Sequence, residues 1–332
     1  MALALGPLFD GLPAISADHL IYSVGSIPDY QAYFIGKDNE GKACLLISVS
    51  EQDTRQFSPI RLESLEVLFE VPSLIRRAGK VVEGTFTVVR CRSAEPEIVR
   101  YFLSVAETLL RILGPMPKRV AVGSAVNRLA HIFQRLQNPP ARTVNGLFGE
   151  LFLIRQSRNP FHVIAAWRPQ DTSRFDFNTG DIRLDVKTAS GRRRTHTFSY
   201  EQCNPPSGTL AIAASLFTER AAGGLSLRDL IREIESLVAT NTDLVMKLHD
   251  TVAETLGSSL QEALSIRFDQ RLAVSSLQFY DLRSIPAIHD EPPAGVSDIH
   301  FQSDLSNSPK ADIAKLLERQ PAISDFFLDP DA

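Results

Sequence analysis

Two consecutive prolines at positions 139 and 140 constrain the fold of this chain more than any other feature. They follow Asn138 and cannot continue a helix, because proline lacks a backbone N–H and its ring clashes with the preceding turn. The chain has 332 residues, a length that favours two domains over one. We therefore predict an N-terminal domain over residues 1–138 and a C-terminal domain over residues 141–332.

The N-terminal region has strand-like apolar stretches as far as Val89, after which apolar residues recur at helical spacing. Pro96–Leu113 is predicted to be an amphipathic helix that stops at the following Gly114-Pro115. A second helix is predicted to begin at Ser124 as its N-cap. This pattern predicts a β-rich accessory domain that ends in helices.

The C-terminal region alternates helical and strand-like patterns. Helices are predicted over residues 143–156 and 242–256. Two further helices are predicted, one that begins after the N-cap Ser226 and one that begins at Ser308-Pro309. Strands are predicted over residues 174–188, 195–200, 209–217, 272–282 and 296–301. This order predicts an α/β or α+β fold with a mixed central sheet flanked by helices.

Composition excludes several classes of protein. The net charge of −4 argues against a chain that coats nucleic acid through bulk electrostatics, although a local basic site is compatible with it. The three cysteines form no CxxC, which supports neither a disulfide framework nor a structural zinc site. No apolar span of about 18 residues occurs, and the apolar N-terminus lacks a basic flank. We expect a cytoplasmic protein without a membrane span.

The segment 174–187 is the most informative stretch of the sequence and is typical of a tight hairpin. Successive side chains on a strand point to opposite faces, so the phenylalanines at 175 and 177 are predicted to face a core. Asp176, Asp185 and Lys187 then share the other face. A turn centred on residues 179–180 would put Asp176 opposite Arg183 and diagonal to Asp185, at roughly 7–8 Å between Cα atoms.

Two carboxylates at this separation can reach a common divalent cation. Hard oxygen ligands without His or Cys nearby favour magnesium or manganese over zinc. Lys187 would stand beside such a metal, where its charge could orient or deprotonate an attacking water and stabilise charge on a phosphorus centre. The alternative interpretation is a surface hairpin whose polar face is simply solvated.

Glu150 is the only charged residue in the segment 144–154. Its helical neighbours are glycines and apolar residues, so its carboxylate should lie on or beside a buried face. An unpaired charge there costs several kcal/mol, which means that the group should be protonated, paired or near a cation. Gly146 and Gly149 would let the helix approach the sheet closely. Alternatively, Glu150 pairs with an arginine such as Arg174 or Arg183.

An acidic residue on a helix, followed by Asp176 and then by Asp185-Val186-Lys187, resembles the PD-(D/E)XK nuclease superfamily. A longer string resembles a bacterial family of PD-(D/E)XK motif proteins associated with restriction and phage-defence gene clusters. This string comprises Gly146-Leu147-Phe148-Gly149-Glu150-Leu151, Trp167, Phe175-Asp176-Phe177, Leu184-Asp185-Val186-Lys187-Thr188, His196 and Gln202. The resemblance covers residues 146–202. Phe175 stands in place of the motif's proline, and the motif acid at position 185 is Asp rather than Glu.

The resemblance implies a restriction-endonuclease-like core in the C-terminal domain and a metal-dependent phosphodiesterase activity. Glu150, Asp176 and Asp185 would hold one or two Mg²⁺ or Mn²⁺ ions, with the Val186 carbonyl as a further ligand. Lys187 would be the catalytic residue that assists hydrolysis.

Several residues downstream of the motif strand are further candidates. Arg192, Arg193 and Arg194 could hold phosphates through forked hydrogen bonds, with a solvated loop as the alternative. Gln202 would support the site, as the resemblance implies. His196 could act as a general acid or base, or could be a structural histidine. Trp167 is interpreted as a packing residue.

These features predict a magnesium-dependent DNA endonuclease of a bacterial restriction or phage-defence system. Its partners would be DNA and proteins encoded in the same defence operon, and a homodimer is compatible with the sequence. One alternative is a non-catalytic subunit that uses the nuclease fold to bind DNA or to scaffold a defence complex. Another is a nuclease directed at RNA.

Overall fold

The computed structural model describes residues 4–13, 21–49, 56–168 and 174–327. The chain divides into two units, which comprise Met1–Ala141 with Leu256–Gln261 and Arg142–Thr255 with Glu262–Ala332. Within the described ranges, no helix has both the length and the apolar character needed to cross a membrane.

The first unit contains six strands and three helices in the part of the chain that the structure describes. The strands are β1 (Ile21–Ile27), β2 (Tyr30–Lys37), β3 (Ala43–Ile47), β4 (Ile60–Arg61), β5 (Leu65–Arg77) and β6 (Lys80–Cys91). The helices are α1 (Leu5–Asp10), α2 (Pro96–Leu113) and α3 (Arg119–Arg135). The strand order is β1-β2-β3-β6-β5-β4, and β1 also pairs in parallel with β5. The sheet is therefore closed around an apolar interior that includes Leu46, Phe86 and Val88.

The two long helices of this unit follow the sheet. Helix α2 has the predicted bounds, and Phe102 on it contacts Phe133 of α3 in an edge-to-face arrangement with ring centroids 6.0 Å apart. The predicted start of the second helix at Ser124 is wrong, because α3 begins at Arg119. Val122 is buried and extends the apolar stripe by a turn, whereas Ser124 is an exposed position within the helix.

The second unit interleaves helices with short strands. Its helices are α4 (Val144–Gln156), α5 (Pro160–Ala166), α6 (Tyr200–Cys203), α7 (Leu227–Leu237), α8 (Thr242–Leu256), α9 (Leu260–Leu264), α10 (Gln270–Ser276) and α11 (Ile313–Arg319). Its strands are β7 (Phe177–Thr179), β8 (Ile182–Ala189), β9 (Thr195–Ser199), β10 (Leu210–Phe217), β11 (Arg220–Ser226), β12 (Arg267–Phe268), β13 (Gln278–Asp281) and β14 (His300–Asp304). The last residue of α8 and the first two residues of α9 fall within Leu256–Gln261, the short segment that belongs to the first unit.

A mixed four-stranded sheet in the order β13-β10-β8-β7 forms the centre of the second unit. Strands β8 and β10 are parallel, and the two outer strands run antiparallel to them. Strand β10 is an almost fully buried apolar run, as expected for an inner strand, and α4 packs against β8. The mixed sheet with flanking helices confirms the predicted α/β or α+β class.

Three boundaries in the C-terminal region differ from the predictions. Residues 272–282 were expected to form one strand, but α10 precedes the short strand β13. The Asp269 side chain accepts a hydrogen bond from the Leu272 N–H at 3.0 Å, and this cap starts a helix that buries Ala273 and Ser276. The last helix begins after its cap Asp312 rather than at residue 308, and β14 lies at 300–304 rather than 296–301.

Candidate active site

The hairpin formed by β7 and β8 holds the two aspartates of the motif. Its two-residue turn consists of Gly180 and Asp181, and Gly180 has a φ of +48°, a conformation that glycine adopts without steric cost. Asn178 lies opposite Arg183, so the prediction that Asp176 would lie opposite Arg183 is wrong. The turn is one residue later than predicted, and the register brings Asp176 level with Asp185.

Asp176 is buried and held by several contacts. Its Oδ2 accepts a hydrogen bond from the Val186 N–H at 2.9 Å, which ties the carboxylate to the backbone of β8. Its Oδ1 lies 2.7 Å from a terminal nitrogen of Arg142. Its backbone carbonyl accepts a hydrogen bond of 2.7 Å from the Arg168 N–H. These contacts fix the position of the carboxylate beside the motif strand.

Asp185 and Lys187 share one face of β8, as the two-residue period of a strand predicts. The Lys187 Nζ lies 2.7 Å from Oδ2 of Asp185 and 4.8 Å from the centre of the Phe198 ring. Oδ2 is buried and makes no hydrogen bond of normal geometry, so its partner is the charge of Lys187. Burial raises the pKa of Asp185 to about 6, although the Lys187 charge opposes this rise.

Glu150 lies on α4 and is 3 % exposed. Its Oε2 accepts a hydrogen bond from the Trp167 indole N–H at 2.6 Å, and its Oε1 accepts one from Arg168 at 2.6 Å. Burial, reinforced by the negative charge of Asp176, raises the pKa of Glu150 to about 7. The sequence predicted a buried carboxylate with a partner. Glu150 has two such partners, the Trp167 indole and the Arg168 guanidinium.

Close packing of α4 on the sheet brings Glu150 towards the aspartates. A Cβ atom at Gly149 would lie 2.4 Å from Cγ2 of Thr188 and 3.0 Å from Cγ1 of Val186. Only glycine fits this contact without displacement of the helix, which confirms the prediction for Gly149. The same prediction is wrong for Gly146, where a Cβ would meet only the Thr143 hydroxyl of the helix cap, at 3.3 Å.

The arginines that neutralise the carboxylates are not the ones considered from the sequence. Arg174 pairs with Glu201 at 3.0 Å, and Arg183 donates to the backbone carbonyls of its own turn. Arg142 and Arg168 pair with Glu150 instead, at 3.9 Å and 2.6 Å.

Arg142 precedes α4, and Arg168 directly follows the buried Trp167. Burial alone would lower the pKa of Arg142, but the charges of the three carboxylates raise it above its usual value. The sequence predicted that a buried Glu150 would be protonated, paired or near a cation. The residues that supply the cations were not predicted.

The three consecutive arginines have two different environments. Arg192 and Arg193 are exposed, whereas Arg194 is 6 % exposed. The Arg194 guanidinium donates to the Ser215 carbonyl at 2.8 Å, to the Ser215 hydroxyl at 2.7 Å and to the Ser276 carbonyl. These contacts connect β10 with the end of α10, and they favour a structural role for Arg194.

His196 and Gln202 are also buried beside the sheet. The His196 Nε2 lies 2.8 Å from the Ser215 hydroxyl, and burial, aided by the charges of Lys187 and Arg194, lowers the pKa of His196 to about 4. A neutral imidazole is therefore stable there. Gln202 completes a capping box with Ser199, and its amide donates to the Arg174 carbonyl at 2.7 Å. Gln202 thereby anchors the chain just before the hairpin.

A cavity of about 570 Å³ opens beside the motif lysine. It is lined by charged and polar residues, which are Arg174, Lys187, Thr197, Ser199, Glu201, Gln202, Ser297, Asp298 and His300. The polar lining distinguishes it from the apolar pockets that bind most small organic ligands. Lys187 borders this cavity, so its ammonium group can be reached from it.

The donor chemistry of the cluster fits a hard divalent cation. Glu150, Asp176 and Asp185 supply only oxygen atoms, which Mg²⁺ and Mn²⁺ prefer, and the buried Oδ2 of Asp185 lacks a hydrogen bond. In the described ranges, however, no three His, Cys, Asp or Glu side chains are arranged as a metal-ligand group. Arg142 contacts two of the carboxylates directly, at the position where a cation would balance them.

A family model described as “Putative PD-(D/E)XK family member, (DUF4420)” matches residues 21–306. No curated protein and no solved structure matches the chain.

Proposed function

Because the chain belongs to the DUF4420 family of PD-(D/E)XK proteins and has its nuclease-like fold, we propose that it is a metal-dependent DNA endonuclease. The second unit would carry the reaction, in the domain proposed to span residues 141–332. Residues 1–138 would form an accessory domain that recognises the target or a partner. The reaction is hydrolysis of a phosphodiester bond.

The observation that carries this proposal is a set of buried carboxylates beside Arg142 and Lys187. Asp176 and Glu150 lie 2.7 Å and 3.9 Å from Arg142, and Asp185 lies 2.7 Å from Lys187. All three carboxylates are at most 5 % exposed, although burial of a charged group is unfavourable. The charge of Asp176 raises the pKa of both other carboxyl groups, so the acids repel one another across a short distance. A scaffold that keeps three such groups together favours a cation as their ligand.

In the proposed site, Glu150, Asp176 and Asp185 hold one or two Mg²⁺ or Mn²⁺ ions, with the Val186 carbonyl as a further ligand. A bound ion of this kind lowers the pKa of water and neutralises negative charge on a phosphate. The Val186 N–H holds Asp176 in place, and the Trp167 indole orients Glu150.

Lys187 is the proposed catalytic residue. Its ammonium group lies 2.7 Å from Asp185, rests on the Phe198 ring and lines the polar cavity. A DNA phosphate that enters this cavity would meet the ammonium directly. Its positive charge would stabilise the negative charge that develops on the phosphate during hydrolysis.

DNA would be held by arginines at the surface of the second unit. Arg192 and Arg193 are exposed near the motif strand and are proposed to contact phosphates. Gln202 is proposed to support the site, since it anchors the backbone before Asp176. The protein would act in a bacterial restriction or phage-defence system, together with partner proteins from that system. Its assembly would be a homodimer.

The test is nicking of supercoiled plasmid DNA in Mg²⁺ or Mn²⁺ by wild type, Asp185→Asn and Lys187→Ala. Each substitution should lower the rate at least about a hundredfold, because each removes a charge that acts in the transition state. Glu318→Gln, at an exposed carboxylate on α11, is the matched control and should cleave like wild type. Equal cleavage by all four proteins would reject the assigned site. Competition with unlabelled RNA distinguishes a nuclease directed at RNA.

A non-catalytic DNA-binding or scaffolding subunit is the second candidate. It is favoured by the pairing of Arg142 and Arg168 with the carboxylates, which satisfies these groups without a metal. Calorimetric titration with Mn²⁺ separates the two functions. Binding that is lost in Asp176→Asn supports the nuclease, whereas DNA binding by a protein that takes up no Mn²⁺ supports the scaffold.

A further inference from the structure

We propose that Arg142 is a displaceable counter-cation, which holds the acidic cluster together without metal and leaves it when a divalent cation binds. This inference rests on the proposed metal site and assigns a role to a residue outside the PD-(D/E)XK motif. Arg142 acts through the carboxylates and is therefore a positioning residue.

The contacts of the Arg142 guanidinium place it among the metal-ligand candidates. One terminal nitrogen lies 2.7 Å from Oδ1 of Asp176 and 3.9 Å from Oε1 of Glu150. These two oxygens belong to different elements, α4 and the segment before β7. Arg142 thus pairs with two of the three carboxylates that would hold a metal ion.

The exposure of Arg142 makes displacement feasible. Its side chain is 41 % exposed, whereas those of its partners Glu150 and Asp176 are 3 % and 6 % exposed. The buried carboxylates cannot move towards water without loss of packing, but a long and half-exposed arginine side chain can turn outward. Its backbone stays in place, because the Arg142 N–H donates to the Thr255 carbonyl at 3.3 Å.

Arg168 provides the contrast. Its guanidinium donates to the Thr255 hydroxyl and to Glu150, both at 2.6 Å, and lies 5.5 Å from the centre of the Trp167 ring. Its side chain is only 12 % exposed. Arg168 is therefore fixed on three sides, and it would continue to pair with Glu150 after Arg142 had moved.

Charge balance explains why one cation has to leave. The three carboxylates face the cationic groups of Arg142, Arg168 and Lys187, so the ionised cluster is already neutral. A divalent ion added to this set would bring two unbalanced positive charges into a buried site. Of these three cationic side chains, that of Arg142 is the most exposed. Its departure would reduce the excess positive charge.

The experiment measures Mn²⁺ affinity by electron paramagnetic resonance of the free ion, for wild type, Arg142→Gln and Arg155→Gln. Arg155 is the matched control, because it lies on the same helix as Glu150 but pairs with Glu233 instead. Removal of a competing charged hydrogen bond should make Arg142→Gln bind Mn²⁺ about tenfold or more tightly than wild type. Arg155→Gln should bind like wild type.

The outcomes separate this inference from the proposed function. Displacement is supported if Arg142→Gln binds Mn²⁺ more tightly than wild type and Arg155→Gln does not. This holds even if wild type binds Mn²⁺ too weakly to measure. Equal or weaker binding by Arg142→Gln, with clear binding by wild type, overturns the role of Arg142 and leaves the metal site intact. Absence of binding by every protein overturns both.

A second measurement uses the unmodified protein and does not depend on the folding of a variant. Phenylglyoxal modifies free guanidinium groups, and mass spectrometry locates the modified arginine. Addition of Mn²⁺ should increase modification of Arg142 and leave that of Arg155 unchanged. Modification of Arg142 that stays constant at saturating Mn²⁺ would show that the arginine remains in place, which contradicts the proposal.

Discussion

The indole N–H of Trp167 donates a hydrogen bond of 2.6 Å to Oε2 of Glu150, and both side chains are buried. Trp167 is the only tryptophan of the chain. It was interpreted from the sequence as a packing residue, yet its polar atom orients a proposed metal ligand. The packing and the chemistry of the site are therefore coupled through one indole ring.

Substitution Trp167→Phe should destabilise the metal-free protein by about 1–3 kcal/mol, because it leaves a buried carboxylate oxygen without its donor. Urea denaturation measures this change. A double-mutant cycle with Glu150→Met, which removes the acceptor, isolates the indole–carboxylate contribution from the lost packing volume. Strict additivity of the two substitutions would contradict an energetic role for this hydrogen bond.

Substitution Gly149→Ala should destabilise the protein by roughly 1–3 kcal/mol, since the new methyl group would overlap Thr188 unless α4 moved away from β8. Gly146→Ala is the matched control on the same helix. It should be neutral or slightly stabilising, because alanine favours the helix and a Cβ there meets only the cap hydroxyl at 3.3 Å. Thermal unfolding of the two variants checks the prediction, which fails if Gly149→Ala is as stable as wild type.

Arg194→Ala should destabilise the protein much more than Arg193→Ala. Loss of Arg194 removes three buried hydrogen bonds, to the Ser215 carbonyl, the Ser215 hydroxyl and the Ser276 carbonyl, and should cost about 2–4 kcal/mol of unfolding free energy. Loss of the exposed Arg193 should change stability by less than about 0.5 kcal/mol. If Arg193 contacts a phosphate, its loss should reduce the salt dependence of DNA binding by about one unit of slope. Equal stability of the two variants would contradict a structural role for Arg194.

The contribution of His196 to the stability of the protein should be lost on acidification. Over the same pH range, the raised pKa values of Glu150 and Asp185 act in the opposite direction, so the effect of His196 is measured as a difference between variants. The folded pKa of His196, about 4, lies below its ordinary value of 6.5, so the fold favours the neutral imidazole. This contribution is complete above pH 6.5 and is lost as the pH falls towards 4. It amounts to about 3 kcal/mol at most.

Urea denaturation of wild type and His196→Gln at several pH values between 4 and 7 measures this contribution. The substitution should remove part of the pH dependence. An identical pH profile for wild type and His196→Gln would count against the buried neutral state.

Much of the fold follows from apolar periodicity. Helix α2 has the predicted bounds because a long amphipathic stripe between Pro96 and Gly114-Pro115 defines both of its ends. The start of α10 was missed because its few apolar residues fit a strand as well as a helix, and a single side chain, that of Asp269, caps it. Local capping geometry decides such short elements.

The candidate site was predictable only in part. The shared face of Asp185 and Lys187 follows from the strand period, and the burial of Glu150 follows from its apolar neighbours. The hairpin register was not decidable, because glycine fits either central position of a two-residue turn. Arg142 and Arg168 were missed because a cation that neutralises a buried acid can come from any segment that folding brings near.

The backbone and the side chain of Val186 have different roles in the candidate site. Its N–H binds Asp176 at 2.9 Å, and its side chain packs where the glycine of α4 approaches the strand. Every residue except proline supplies the N–H, but a side chain larger than valine would push the helix, and with it Glu150, away from the aspartates. The motif (D/E)XK specifies no residue at position X, which is Val186 here. The packing of α4 nevertheless limits the size of the side chain at this position.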